Sequence, residues 1–75
     1  MPLTVEEKKY LKKLGNRIVA IREEKGIKQK ELSDLLDIDD GSLRRIESGR
    51  TNPTTTTLLS VSKALNVDIS ELFKF

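Results

Sequence analysis

Apolar residues recur along this chain in steps of three and four. Leu11, Leu14, Ile18 and Ile21 share one helical face, and Thr4 followed three residues later by Glu7 fits a capping box in front of them. Gly26 stops the run, because glycine takes the left-handed conformation of a helix end without strain. The spacing predicts a first helix from about Val5 to Lys25, with 4–13 as an N-terminal extension and Gly15 as a mild weak point. Leu32, Leu35 and Leu36 predict a second helix, which ends near Asp37, a residue that tolerates a left-handed turn. Asp39 is expected to cap a third helix, which carries Leu43 and Ile46 inward and stops at Gly49. Arg50-Thr-Asn-Pro-Thr54 reads as a loop. Thr54 then opens a fourth helix with Leu58, Leu59, Val61 and Leu65 inward and Asn66 as its left-handed end. Asp68 to Glu71 resembles another capping box and opens a short fifth helix with Ile69, Leu72 and Phe73. No segment alternates as a strand would, so the expected fold is all-α, one compact five-helix domain over 1–75 with an extended N-terminal helix.

Composition narrows what such a domain does. A chain of 75 residues buries only about 60% of the surface its unfolded form exposes, so helix packing, alone or with a partner subunit, has to supply the stability. Cysteine and histidine are both absent, which leaves no disulfide, no metal-ligand cluster and no cofactor to expect. The carboxylates fit caps, ion pairs and solvent, and no nucleotide-binding glycine loop is present, so an enzyme is not expected. The longest apolar run is Ile18-Val-Ala-Ile21, far short of the roughly 20 residues that span a bilayer. The first residues contain no apolar stretch of signal-peptide length, and a cytoplasmic protein is expected.

Net charge is only +2, but its distribution is uneven. Residues 1–25 hold seven Lys/Arg against four Glu, residues 26–50 hold five against six Asp/Glu, and residues 51–75 balance at two against two. The basic excess belongs to the first helix.

The middle of the chain carries the functional pattern. With Gln29 as position one of a two-helix unit, Leu32, Leu36, Ile38, Leu43 and Ile46 supply the buried positions and small Ser33 sits where the helices approach. A helix, a short turn and a steeply crossing second helix make a helix-turn-helix over 29–48. At about 100° per residue, Asp40, Gly41, Arg44 and Arg45 fall within an arc of roughly 140°, opposite Leu43 and Ile46. Arginine suits bidentate bonding to guanine in the major groove, and a carboxylate accepts from cytosine. The same residues also fit a plain solvated face on which Arg44 and Arg45 pair with Asp37 and Asp40.

From Leu14 to Phe73 the chain resembles the Cro/phage-repressor (Xre-type) helix-turn-helix family. The likeness is carried by Ile21-Arg-Glu-Glu-Lys-Gly-Ile-Lys-Gln29, Glu31-Leu32, Arg45-Ile-Glu-Ser-Gly49, Asn52-Pro53, Lys63-Ala-Leu-Asn-Val67 and Glu71-Leu-Phe73, in register without a gap. It implies a lambda-repressor-like domain that binds double-stranded DNA as a dimeric transcriptional regulator; some members act as antitoxins or restriction–modification controllers, and this chain's size resembles the controllers. By the same resemblance Gln29 bonds phosphate from the start of helix 2. Asp40, Gly41 and Arg45 take base-reading positions, with Arg44 close to bases or backbone. Arg50, Asn52 and Thr55 contact phosphate beyond helix 3, and Lys28, Lys30 and Ser42 complete the DNA-facing set. Arg22 and Glu47 resemble the family's internal ion pair, a structural element more than a binding one.

Four acidic or basic residues depart from the family pattern. Lys28 stands where a Ser/Thr cap is usual, Asp37 replaces the usual turn glycine, and Asp39 is explained as a cap. Asp40 sets a carboxylate at a groove-facing position near Asp34, Asp37 and Asp39. It reads cytosine, orients Arg44 by an i,i+4 pair, or marks a helix that no longer binds DNA; orientation of Arg44 is the expected role.

The expected function is a sequence-specific regulator, a repressor or controller, binding an inverted-repeat operator as a homodimer. Its recognition helices would lie about 34 Å apart. The dimer surface is expected at the end of helix 4 and helix 5, from Val67, Ile69, Leu72 and Phe75, although Leu72 also fits the monomer core. The alternative is a protein-interaction module of the same fold, an antitoxin or anti-repressor whose acidic helix 3 face binds a basic protein partner.

Overall fold

The computed structural model describes residues 2–75; Met1, inside the expected domain span, lies outside the described residues. Four α-helices follow in order, α1 Val5–Glu24, α2 Gln29–Leu36, α3 Asp40–Glu47 and α4 Thr55–Ala64, then a 3-10 helix Ile69–Phe73. No strand occurs among the described residues.

Local sequence sets the helix boundaries. Thr4 Oγ1 accepts from the Glu7 amide at 3.0 Å while Glu7 returns a carboxylate to the Thr4 amide at 2.8 Å, so the capping box is complete. Asp39 and Thr54 accept from the amides of Ser42 and Thr57. Lys28 has no cap oxygen to offer, and the start of α2 keeps only half a box, the Glu31 carboxylate on the Lys28 amide at 3.2 Å. At the other ends all four α-helices stop in one way. Gly26, Asp37, Gly49 and Asn66 adopt left-handed backbone. The next amide of each reaches back to close a Schellman turn, as Ile27 does to the Arg22 carbonyl at 3.0 Å.

The core is one cluster: Leu11, Leu14, Ile18 and Ile21 of α1, Leu32 of α2, Leu43 and Ile46 of α3, Leu58, Val61 and Leu65 around α4, and Leu72. Two leucines expected inward are not there: Leu35 is 63% and Leu59 41% exposed. Leu32, Ser33 and Leu36 define the buried meridian of α2, and Leu35 lies roughly 100° from its centre. Leu59 stands off the Leu58–Val61–Leu65 face by a similar angle.

The fifth helix is a 3-10 turn, not an α-helix. Asp68 Oδ1 accepts from the Ser70 amide at 2.9 Å, and the Glu71 amide bonds the Asp68 carbonyl at 2.9 Å. These two- and three-residue spacings wind the segment tightly, as in the short 3-10 pieces common beside α-helices. The expected capping box fails there because the Glu71 carboxylate turns away, toward Arg17 at 3.6 Å and toward Lys74.

Gly15 proves to be a crossing point. A Cβ there would lie 2.3 Å from the Glu47 carbonyl oxygen, and one on Gly49 would lie 2.6 Å from Lys12 Cα. The two glycines let α1 press its backbone against the C-terminal end of α3. The helix-propensity cost assigned to Gly15 from sequence is thereby offset by close packing.

Candidate nucleic-acid interface

The short loop after Asp37 turns the chain so that α3 crosses α2 and leaves one side of α3 open. Leu43 and Ile46 are buried, while Arg44 and Arg45 are exposed and Gly41 is partly covered. An open groove of about 600 Å³ runs along this side, lined by Gln29, Gly41, Arg44, Arg45, Glu47, Ser48 and Arg50. A second depression of about 310 Å³ on the other flank of α3 is lined in part by Ser42, Arg45, Asn52 and Thr54. Arg45 borders both, and its Nη2 bonds Ser42 Oγ at 3.2 Å.

The groove thus gathers Gln29, Gly41, Arg44, Arg45 and Arg50 from the sequence-derived set. Ser42 and Asn52 join at the second depression. Lys28, Lys30 and Thr55 are exposed but line neither; Lys30 lies 3.6 Å from Asp34. Asp40 also stays out of the groove lining. Its Oδ1 is 2.5 Å from the hydroxyl of buried Ser33. No ion pair joins it to Arg44 among the described residues, so orientation of Arg44 by an i,i+4 pair does not occur. The carboxylate finds a hydroxyl donor on α2 instead.

Charge balance near the arginines is kinder than the sequence suggested. The backbone amide of Ser42, then its hydroxyl, hold the Asp39 carboxyl below its ordinary value, and the charges of Arg45 and Arg44 add to this. Asp39 is therefore a helix cap beside two guanidinium groups. Gly49 packs against the backbone of Lys12, so α1 meets the end of α3 there, while no α1 residue lines the groove itself.

Behind the groove stands a network that periodicity did not reveal. Arg22 Nε donates to Glu47 Oε2 at 2.8 Å, its Nη2 to Glu47 Oε1 at 3.3 Å, and its Nη1 to the Ile27 carbonyl at 3.0 Å. The Gln29 amide donates to Glu47 Oε1 at 2.7 Å. Glu47 thus joins α1, the start of α2 and α3. Buried charges require this many partners, and that requirement was the available signal: an Arg and a Glu on otherwise apolar faces.

Comparisons with known proteins address what this arrangement belongs to. A family model described as helix-turn-helix matches residues 18–72. The chain belongs to this helix-turn-helix family, of the Cro/phage-repressor (Xre) type. It is 36% identical over 59 residues to an immunity repressor protein of Bacillus phage phi105, covering 79% of this chain and 41% of that protein. An uncharacterized HTH-type transcriptional regulator of Sinorhizobium fredii is 36% identical over 61 residues, 81% of this chain and 79% of the relative. The chain thus spans less than half of the phage repressor. Among solved structures, the restriction-modification controller protein C.AhdI from Aeromonas hydrophila superposes with a TM-score of 0.81 at 32% identity, covering 84% of this chain and 96% of the controller. The clp gene regulator ClgR from C. glutamicum gives 0.81 at 26%, covering 96% and 86%.

The expected dimer residues divide within this helix-turn-helix domain. Leu72 has no exposed surface and belongs to the monomer core, where the 3-10 turn points it inward. Val67 and Ile69 are half-buried against that core. Phe75 is 50% exposed, and its ring meets Tyr10 of α1 edge-on at 5.1 Å. Tyr10, half-exposed on the extension four residues before Leu14, stands at the edge of the apolar face of α1 and was not singled out from the sequence. No described helix is long and apolar enough to cross a membrane.

Proposed function

We propose that this chain binds an inverted-repeat DNA operator as a homodimer and acts as a repressor or controller of transcription. Its class, a DNA-binding transcriptional regulator, rests on the helix-turn-helix family and on the regulators it resembles. The observation that carries the finer reading is the open groove on α3, where Gly41, Arg44, Arg45 and Arg50 converge. Gly41 lets a base edge approach the helix backbone, Arg44 and Arg45 offer bidentate donors to guanine, and Arg50 lies where a phosphate follows. Two copies related by a two-fold axis read two half-sites about 34 Å apart, so the operator is palindromic. Val67, Ile69 and Phe75, joined by Tyr10, form the apolar surface through which the copies meet.

Selection of bound sequences from random duplex DNA at two salt concentrations tests this. A palindromic motif whose affinity falls steeply with salt is the expected result; no enrichment at low salt would overturn it.

A further inference from the structure

We infer that Asp40 acts on recognition without touching a base: through the buried hydroxyl of Ser33 it is a positioning residue that fixes the angle at which α3 is presented. The inference rests on the DNA-binding reading above.

Ser33 is fully buried on the inner side of α2. Its Oγ lies 2.5 Å from Asp40 Oδ1 and 2.9 Å from the Lys30 carbonyl oxygen. A hydroxyl has one proton, and an ionised carboxylate is the stronger acceptor, so the bond that counts runs from α2 to the first residue of α3. The neighbouring carboxylate, Asp39, is spent on its own helix at the Ser42 amide. The two acids therefore divide the work. Asp39 starts α3, and Asp40 ties that start to the preceding helix.

The tie matters because the other directional contact between these helices, Gln29 on Glu47, lies at the far end of α3, and the contacts in between are apolar. Leu32 and Leu43 are fully buried, and their burial fixes closeness rather than angle. The chain link is short and contains left-handed Asp37, but a link of single bonds can turn, and it leaves the direction of the first turn of α3 to side-chain contacts. With Gln29–Glu47 holding the last turn of α3 and Ser33–Asp40 holding the first, two directional bonds set the swing of α3, and the positions of Gly41, Arg44 and Arg45 follow from that swing. Base readout tolerates little misplacement, since its hydrogen bonds weaken steeply with angle.

A charged acceptor facing phosphate-rich DNA is costly unless it serves a purpose, and the Ser33 bond supplies one. Asn at this position keeps an acceptor oxygen and sheds the charge, which separates geometry from electrostatics.

The test uses the full chain with Asp40→Asn, Asp40→Ala, Ser33→Ala and the double variant S33A/D40A, each put through the same DNA selection. Unfolding of each variant fixes a temperature at which all are folded. Asp40→Asn is expected to return the wild-type motif with affinity equal or several-fold higher at low salt. Ser33→Ala and Asp40→Ala are each expected to lose about 10-fold in affinity, with preference blurred across every position that α3 reads. The double variant should be no worse than either single one, the signature of a shared bond.

A changed preference at one base pair in Asp40→Asn, with the others intact, would make Asp40 a base reader and overturn the inference. So would wild-type affinity and motif in both alanine variants, or losses that multiply in the double variant. If the wild type itself enriches no sequence, the DNA-binding reading fails instead. The Ser33–Asp40 bond is then judged by the same double-mutant cycle in urea unfolding, where additive losses refute it. Should one alanine variant not fold, the other, read beside Asp40→Asn, still decides, since wild-type affinity and motif in it overturn the inference.

Discussion

A Cβ placed on Gly15 would stand 2.3 Å from the carbonyl oxygen of Glu47 and 2.7 Å from that of Ile46. Both obstacles are backbone, which cannot rotate aside as a side chain would. In an unconstrained helix Gly→Ala gains roughly 1 kcal/mol. Here the clash dominates, and Gly15→Ala is expected to destabilise by about 1–3 kcal/mol as α1 lifts off α3. Urea unfolding measures it; a gain in stability would mean that the helices do not cross so closely.

Arg22 and Glu47 form a buried, bidentate pair. Removing one member leaves the other charge stranded, so Arg22→Ala or Glu47→Ala is expected to cost about 3–5 kcal/mol. The double replacement Arg22→Met with Glu47→Leu should recover much of that loss, because no charge is left stranded and the Gln29 amide and Ile27 carbonyl it frees belong to partly exposed residues. Equal instability in the single and double variants would contradict this account.

Much of this fold was legible in the sequence because its signals are local. Thr4, Asp39 and Thr54 cap where expected, and Gly26, Asp37, Gly49 and Asn66 stop the helices, each through bonds spanning only a few residues. What escaped depends on neighbours distant in the chain. Leu35 and Leu59 fit a helical period yet sit off the meridian that tertiary contacts select. The candidate site follows the same division. The α3 face could be projected from a helical wheel, whereas Gln29 on Glu47, 18 residues away, and Asp40 on Ser33 required the helices to be placed in space.

Gly41 offers a separation of stability from binding. A Cβ there would meet the nearest atoms, in Arg45 and Asp39, at 3.4 Å, ordinary contact distance. Gly41→Ala should therefore leave stability unchanged or raise it by up to about 1 kcal/mol. Operator affinity is expected to fall roughly 10-fold as the methyl blocks close approach of a base edge. Unaltered binding would show that nothing approaches α3 at this point.

The groove arginine and a flanking lysine should fail differently. Arg45→Ala is expected to relax specificity at particular base pairs, at a cost of about 1–3 kcal/mol. Lys30→Ala should weaken all sequences alike and lower the salt slope by roughly one unit. Competition binding against single-substitution operators distinguishes the two patterns.

Asp39 provides a pH signature. Its carboxyl is held below the ordinary 3.8 by the Ser42 amide first, then by the Ser42 hydroxyl and the nearby arginines. A lowered folded value means that the unfolded chain takes up the proton first as pH falls. Its contribution is complete above pH 3.8, then declines as pH drops through the folded value. Asn caps a helix without titrating, so the melting difference between wild type and Asp39→Asn should stay level from pH 7 to about 5 and shrink below about 4. A difference that stays constant into strong acid would sever Asp39 from the cap.

Glu47 is shared property. Its two oxygens hold Arg22 in the core and Gln29 at the mouth of the groove, so substitution at any of the three disturbs both the fold and the surface that faces a ligand. Arg44, by contrast, is exposed, and only Arg45's contact with Ser42 binds either arginine to a neighbour among the described residues. Exchange at 44 or 45 therefore alters the exposed face with little consequence for packing, while exchange at 22, 29 or 47 disturbs all three together.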